Sequence, residues 1–178
     1  KKSISKNLNF VTKKIFIKKN KLILMNQTHS AKVIEVRKSN YKNKINSDAM
    51  ITKVKGLLLG VVTADCVPVI LYDSRNEIVG CIHAGWKGAF SGVIKNTINK
   101  IKKINSKNKI FASIGPCIGK KSYEVDFNFY KKFLDKSKKN KKYFVKKNKS
   151  KKLFNLRKFV ADKLIQLRVN VDHVNHDT

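Results

Sequence analysis

The chain has 178 residues, a mass of 20.4 kDa and a hydrophobic fraction of 42%, which suits one domain with a sizeable core and excludes disorder throughout. Its formal net charge is +30, from 41 Lys and Arg against 11 Asp and Glu. No apolar run is long enough to cross a bilayer, no continuous apolar segment follows the charged start, and three cysteines without tight spacing exclude a disulfide framework, so the expectation is a cytoplasmic, reducing setting with no membrane partner.

Residues 1–21 are basic, with Phe10, Ile15 and Ile17 spaced like a short helix or a frayed strand, and the missing initial Met reads as a start inside a longer protein. Residues 22–25 read as a strand running into Asn26-Gln27-Thr28-His29, and residues 31–36 as a second strand. A loop over 38–47 leads to an element over 48–52, and residues 57–62 read as a buried strand. Residues 67–72 are apolar on both faces, the pattern of a strand covered on both sides. The polar turn Asp73-Ser74-Arg75-Asn76 joins them to a second apolar strand. A hairpin closed about Ser74 and Arg75 sets Tyr72 opposite Glu77 and Cys66 opposite His83. Directly opposed residues of such a pair have Cβ atoms roughly 4.5–5.5 Å apart.

The spacing of Phe90, Val93, Ile94, Thr97, Ile98 and Ile101 predicts one helix over 89–104. A strand over 110–114 ends at Gly115-Pro116, and Asp126 is placed to N-cap a helix through Leu134. The lysine-rich run 136–152 reads as exposed, with Tyr143-Phe144-Val145 as a short island. Residues 153–167 read as helical and 169–171 as a last strand. No internal repeat or linker is visible, so residues 1–178 read as a single domain.

The charge raises a basic nucleic-acid-binding module as a non-enzymatic reading. The lysines, however, are spread along the whole chain among Asn and Ile, as in proteins of AT-rich genomes, and the only arginines are Arg37, Arg75, Arg157 and Arg168. Arg is the favoured reader of bases and phosphates, and interleaved aromatic and basic motifs are absent. No specific nucleic-acid partner is expected, only weak, salt-dependent attraction to polyanions.

The chemistry-bearing residues lie at strand ends. Cys66 and His83 read as core residues that happen to pair, as a nucleophile with its base, or as two metal ligands, and the residues alone leave all three open. His29 also ends a strand, and if it converges, two His and one Cys leave the fourth position of zinc open, as catalytic zinc sites require. Gly85-Trp86-Lys87-Gly88 precedes the predicted helix, where backbone amides, the helix dipole and Lys87 attract anions; a glycine turn that merely reverses the chain is the plainer reading. Trp86 reads as core or as a stacking platform, Cys81 as core, and Cys117, in Gly115-Pro116-Cys117-Ile118-Gly119, as buried filler or part of a cleft.

Five motifs in register then carry a resemblance: Asn26-Gln27-Thr28-His29, Ser47-Asp48-Ala49-Met50-Ile51-Thr52, Thr63-Ala64-Asp65-Cys66-Val67-Pro68-Val69, His83-Ala84-Gly85-Trp86-Lys87-Gly88, and Ile114-Gly115-Pro116-Cys117-Ile118-Gly119 with Tyr123-Glu124-Val125. From Leu22 onward the chain resembles the YfiH-like, or laccase-domain, family, whose members are described as purine nucleoside phosphorylases and earlier as multicopper polyphenol oxidoreductases. The resemblance implies an α/β (α+β) fold, a mixed β-sheet sandwich with flanking helices related to a cysteine-hydrolase architecture. It implies zinc on His29, Cys66 and His83, and a pentosyltransferase that splits adenosine, inosine and methylthioadenosine with phosphate, with adenosine deaminase as a companion hydrolase activity. Asp65 is then the candidate proton shuttle, and Lys87 with the Gly85 and Gly88 backbone the candidate phosphate site. The partners are a purine nucleoside and phosphate, and the assembly a monomer or small homo-oligomer.

The chain departs from that pattern with Lys87 where the family usually has Arg, which removes bidentate anion recognition, and with Asp177-Thr178 where it typically has Cys-Thr. A family segment before the first motif and a later Ser-Tyr-Arg-Arg segment are missing, so the single domain is expected to lack both ends. Two enzymatic alternatives stand beside this one. A Cys–His hydrolase would use Cys66 and His83. A laccase-like copper oxidase needs several copper ions, and His173 and His176 are the only further histidines.

Overall fold

A computed structural model describes residues 2–16 and 18–178; the expectations that touch Lys1 and Ile17 lie outside the described residues. Helix α1 (Lys2–Lys14) is followed by strands β1 (Leu22–Asn26), β2 (Val33–Val36), β3 (Ile45–Asn46), β4 (Ala49–Thr52) and β5 (Leu58–Gly60). The hairpin β6 (Val67–Asp73) and β7 (Ile78–Ala84) leads to helices α2 (Trp86–Ser91) and α3 (Val93–Ile104) and to β8 (Ile110–Ile114). The remainder is β9 (Glu124–Asp126), α4 (Phe127–Lys136), a 3-10 segment (Lys138–Tyr143), β10 (Phe144–Lys146), β11 (Lys151–Phe154), α5 (Leu156–Gln166) and β12 (Asn170–His173).

A six-stranded mixed sheet in the order β12-β8-β6-β7-β4-β2 forms the centre. One face meets the helices: Val67, Val69 and Leu71 of β6 share a core with Ile94, Ile98 and Ile101 of α3 and with Phe159 and Leu164 of α5. On the other face the parallel three-stranded sheet β3-β1-β5 covers one half, where Ile23, Met25, Val36 and Ile45 close over Met50 and Cys81. The sandwich therefore exists over part of the sheet only. The expectation that residues 67–72 are covered on both sides fails, because Ile70 is 63% and Tyr72 45% exposed on the open half. A third sheet, β10-β11-β9, carries α4 and an aromatic cluster in which Phe129 stacks on Phe133 and Phe144 on Phe154.

Several boundaries differ from the sequence reading for physical reasons. The helix over 89–104 is two helices, because Gly92 takes the left-handed conformation (φ +104°) and ends α2 before α3 begins. Of residues 57–62 only Leu58–Gly60 form a strand, half-buried, and the 38–47 loop contains β3. Residues 151–154 are a strand, and α5 begins after Asn155, whose side chain caps Lys158 N–H. Asp126 caps α4 as expected, accepting from Phe129 N–H at 2.7 Å. The lysine-rich run folds inward at Asn140 and Tyr143, both buried.

The hairpin register also differs. Asp73, buried, accepts hydrogen bonds from Arg75 N–H, Lys109 N–H and the Asn76 amide, which draws four residues into the connection, and Glu77 turns to φ +52°. Tyr72 then pairs with Val79 and Pro68, not Cys66, with His83. The slip is two residues, so it preserves the faces. Cys66 stays on the His83 side, one diagonal step along the pair.

Candidate metal centre

Asp48 organises this region. It sits fully buried immediately before β4, and its carboxylate accepts from the backbone N–H groups of Thr28, His29 and Ser30 and from the Ser30 hydroxyl at 2.7 Å. These bonds wrap residues 28–30 around one carboxylate and hold His29 at φ +58°, a left-handed conformation costly for a non-glycine residue. The same carboxylate lies 2.8 Å from Nδ1 of His83, which is buried near the end of β7. Burial alone would raise the Asp48 pKa, but hydrogen bonds from His83, Ser30 and Thr28 outweigh it and hold the group down to about 2. The carboxylate fixes the His83 ring through Nδ1 and leaves Nε2 as the nitrogen that faces away from Asp48.

On that side of the ring the chain brings together three potential donors. His29, Cys66 and His83 each offer one ligand atom, all within 4.8 Å of one another. Cys66 Sγ is 3.8 Å from His29 Nε2, and the two imidazole centroids are 4.8 Å apart at an interplanar angle of 77°. Nitrogen and sulfur donors of a tetrahedral zinc stand about 3.3–3.6 Å apart. The group needs only a small contraction to close on one ion, and a His/Cys/His cluster of this kind could bind a metal. Burial, and then the charges of Asp65, Asp48 and Cys117, push the Cys66 thiol up. A cation at the centre would oppose that shift, whereas a free nucleophile needs the opposite one. The imidazole set against the thiol at 3.8 Å is that of His29, so a Cys–His pair on this chain would join Cys66 with His29.

The remaining sequence candidates surround this point in different ways. Asp65 is exposed next to Cys66, and its carbonyl accepts from Ile118 N–H at 3.0 Å. Lys87 is exposed in the first turn of α2, a helix of six residues. Gly85 is buried, and a Cβ there would lie 2.8 Å from Cys66 Sγ and 2.9 Å from His29 Cδ2. A Cβ on Gly88 would meet the Ser30 carbonyl at 3.0 Å. Both glycines therefore let the start of α2 press against the ligand loop. Trp86 packs edge-on to Phe129 at 4.8 Å, which makes it part of the aromatic core. Cys81 is buried, its thiol pushed up to about 12 by burial. Cys117 is buried under Arg157, whose Nε donates to its Sγ at 3.3 Å. His173 and His176 lie at the C-terminal end, outside the one cluster of three potential metal ligands found among the described residues.

Sequence reasoning assigned no role to Asp48 or Tyr123. The signal for Asp48 was a lone acid opening the apolar run Ala49-Met50-Ile51, where an ionised group needs a set of donors. Tyr123 is half-buried near Cys66 and Asp65; burial first, then their charges, push its phenol up to about 12.

The model of one protein family, described as multi-copper polyphenol oxidoreductase laccase, matches residues 1–178. The chain belongs to this laccase family. Its relatives include proteins named purine nucleoside phosphorylase from Rickettsia conorii, 40% identical over 128 residues, and Campylobacter jejuni, 40% identical over 109 residues. The match covers 72% of this chain and 52% of the first relative, and 60% and 47% for the second, so the chain spans about half the length of these curated relatives. Among solved structures, hypothetical protein YfiH of Bacillus licheniformis superposes with a TM-score of 0.89 at 24% identity, over 97% of this chain and 70% of that one. A Neisseria meningitidis protein gives 0.86 at 24% identity, over 99% of this chain and 71% of that one. These neighbours share the mixed α/β fold.

Proposed function

We propose that the chain carries the metal-bearing part of a zinc-dependent purine nucleoside phosphorylase. It would act on adenosine, inosine and methylthioadenosine, with adenosine deamination at the same centre. The observation that carries this reading is the convergence of His29, Cys66 and His83 on one point, with Asp48 fixing the free nitrogen of His83. The purine nucleoside phosphorylase names of the Rickettsia and Campylobacter relatives supply the substrate class. Zinc held by His29, Cys66 and His83 would supply a Lewis acid and lower the pKa of a water that it binds.

The chain's own groups would divide the remaining work. His29 and His83 would hold the ion through a ring nitrogen each and Cys66 through its sulfur. Asp48 holds the His83 ring through Nδ1. Asp65, exposed beside Cys66, moves a proton to or from the departing base. Lys87 and the start of α2 attract phosphate, whose oxygen attacks the anomeric carbon as the glycosidic C–N bond breaks and the electron pair leaves with the base.

The test pairs elemental analysis of the purified protein with a phosphate-dependent assay on adenosine. We expect about one zinc per chain, and Cys66→Ala to lose both metal and base release. Full phosphorolysis by Cys66→Ala would sink the metal role, and copper in place of zinc would sink the assignment of the ion. In the hydrolase alternative a chelator leaves activity untouched while a thiol-alkylating reagent abolishes it.

A further inference from the structure

Away from the metal ligands, a groove of about 710 Å3 opens between the α2–α3 junction, the 3-10 segment and α5. Lys95, Lys136, Lys139, Lys142 and Lys163 line it, and no Asp or Glu does. The lysine run that the sequence reading placed on a solvated surface is anchored here. Asn140 is buried and donates to the Phe133 carbonyl at 2.8 Å, and buried Tyr143 meets Phe159 edge-on at 5.1 Å. Those two anchors turn the run so that Lys136, Lys139 and Lys142 line the cavity.

Two of these lysines are also held in place. Lys136 donates to the Phe90 carbonyl, and its Nζ stands 4.0 Å from the Phe90 ring centroid. Lys163 is half-buried with Nζ 5.3 Å from the Phe159 ring. Burial first, then the charges of Lys136 and Lys142, keep the Lys163 ammonium below its usual range. The carboxylate at hand is Asp162, which already serves Lys142, Lys158 and the Tyr143 hydroxyl. Clustered like charges with so little compensation repel one another, and an anion bearing several adjacent negative charges would relieve that repulsion. The volume falls within the ordinary range for small-ligand pockets, roughly 300–1,000 Å3. Phe90 and Leu167 give it an apolar side.

We propose that this groove binds a chain of linked phosphates, as carried by a nucleoside triphosphate or by inorganic tripolyphosphate, between Lys136, Lys142 and Lys163. The site shares no residue with the metal centre, so it stands or falls independently of the phosphorolysis reading.

Calorimetric titration of the full chain at about 0.15 M salt tests it, because screening there suppresses diffuse attraction. ATP and tripolyphosphate are the probes, with orthophosphate and adenosine as comparisons. We expect saturable binding of one tripolyphosphate per chain and much weaker orthophosphate binding. ATP binding tighter than tripolyphosphate would assign the nucleotide as the source, and equal affinity the phosphate chain alone. The variant K136Q/K163Q should weaken binding by at least about tenfold. K38Q/K44Q, which removes the same charge from another loop, should change it by less than about twofold. K95Q/K139Q, which leaves the Lys136–Phe90 contact intact, serves if the first variant melts early, and should also weaken binding. Equal losses in the groove and control variants would reduce the effect to net charge and overturn the proposal. Absence of saturation at about millimolar ligand would do the same, as would single-stranded RNA that binds more tightly with length and ignores K136Q/K163Q.

Discussion

Asp48 is one of 11 acidic residues in a chain with 41 basic ones, yet among the described residues no lysine or arginine pairs with it. It is satisfied instead by three successive backbone amides, two hydroxyls and an imidazole, which is why it can be ionised and buried together. Replacing it with alanine leaves those amides without an acceptor and His83 without its orienting partner. Asp48→Ala should cost about 3 kcal/mol in chemical denaturation. It should also weaken metal binding about 10–100-fold in a competition titration. Asp48→Asn keeps the shape and should show the smaller stability loss with a clear metal defect. Gly85 allows a cleaner separation. Its φ of −65° is open to alanine, so the obstacle is the close approach of Cys66 and His29. Gly85→Ala should therefore lose metal affinity while its melting temperature stays within a few degrees of the parent, about the shift that 1 kcal/mol produces. His29, Cys66 and His83 were legible in the sequence as a candidate cluster because they lie at the ends of apolar strands. Asp48 was not, because its partners at residues 28–30 are brought to it by two long-range parallel pairings, β1 with β3 and β2 with β4.

At the scale of elements, periodicity located most strands and helices, and local hydrogen bonding decided where they ended. Nothing in the apolar spacing of residues 89–104 distinguishes one helix from two; the left-handed Gly92 does. The hairpin slipped by two residues because Asp73 found three donors, one of them at Lys109 on the neighbouring strand's approach. The lysine-rich run hid a structural segment because its buried residues, Asn140 and Tyr143, are polar or amphipathic and few. Tyr143 donates to Asp162 at 3.0 Å and ties that segment to α5. Burial, and then Asp162, push its phenol up to about 12. The folded state thus favours the neutral phenol, so the contribution to stability is complete below the ordinary tyrosine value near 10 and drains away as pH rises from there to about 12. Tyr143→Phe should be less stable than the parent by about 1–2 kcal/mol near neutrality. The gap should close across that alkaline window, and denaturation midpoints of the two proteins measured in parallel at each pH cancel the shared lysine titration. A gap that stayed constant through pH 12 would remove Tyr143 from that role.

Two features of the whole molecule pull in opposite directions. The half of the central sheet left open by β3-β1-β5 presents Ile70, Tyr72, Val79 and Phe111, with Tyr72 paired to both Val79 and Phe111, so these side chains form one patch. Apolar surface of this kind favours association, whereas a net charge of +30 on 178 residues opposes it through long-range repulsion. The two terms respond differently to salt. Screening shortens the reach of the charge from about 30 Å at 0.01 M to about 3 Å at 1 M and leaves apolar burial intact or strengthened. Sedimentation velocity should therefore find the chain monomeric at low ionic strength and increasingly associated as sodium chloride rises. That is the reverse of the trend for assembly driven by attraction between opposite charges. Ile70→Thr with Phe111→Thr should abolish the rise while leaving the helix-facing core untouched, since both side chains point away from α3 and α5. Salt-induced association that survived both substitutions would place the sticky surface elsewhere, with exposed Phe10 in α1 and Phe16 just beyond it the next residues to replace.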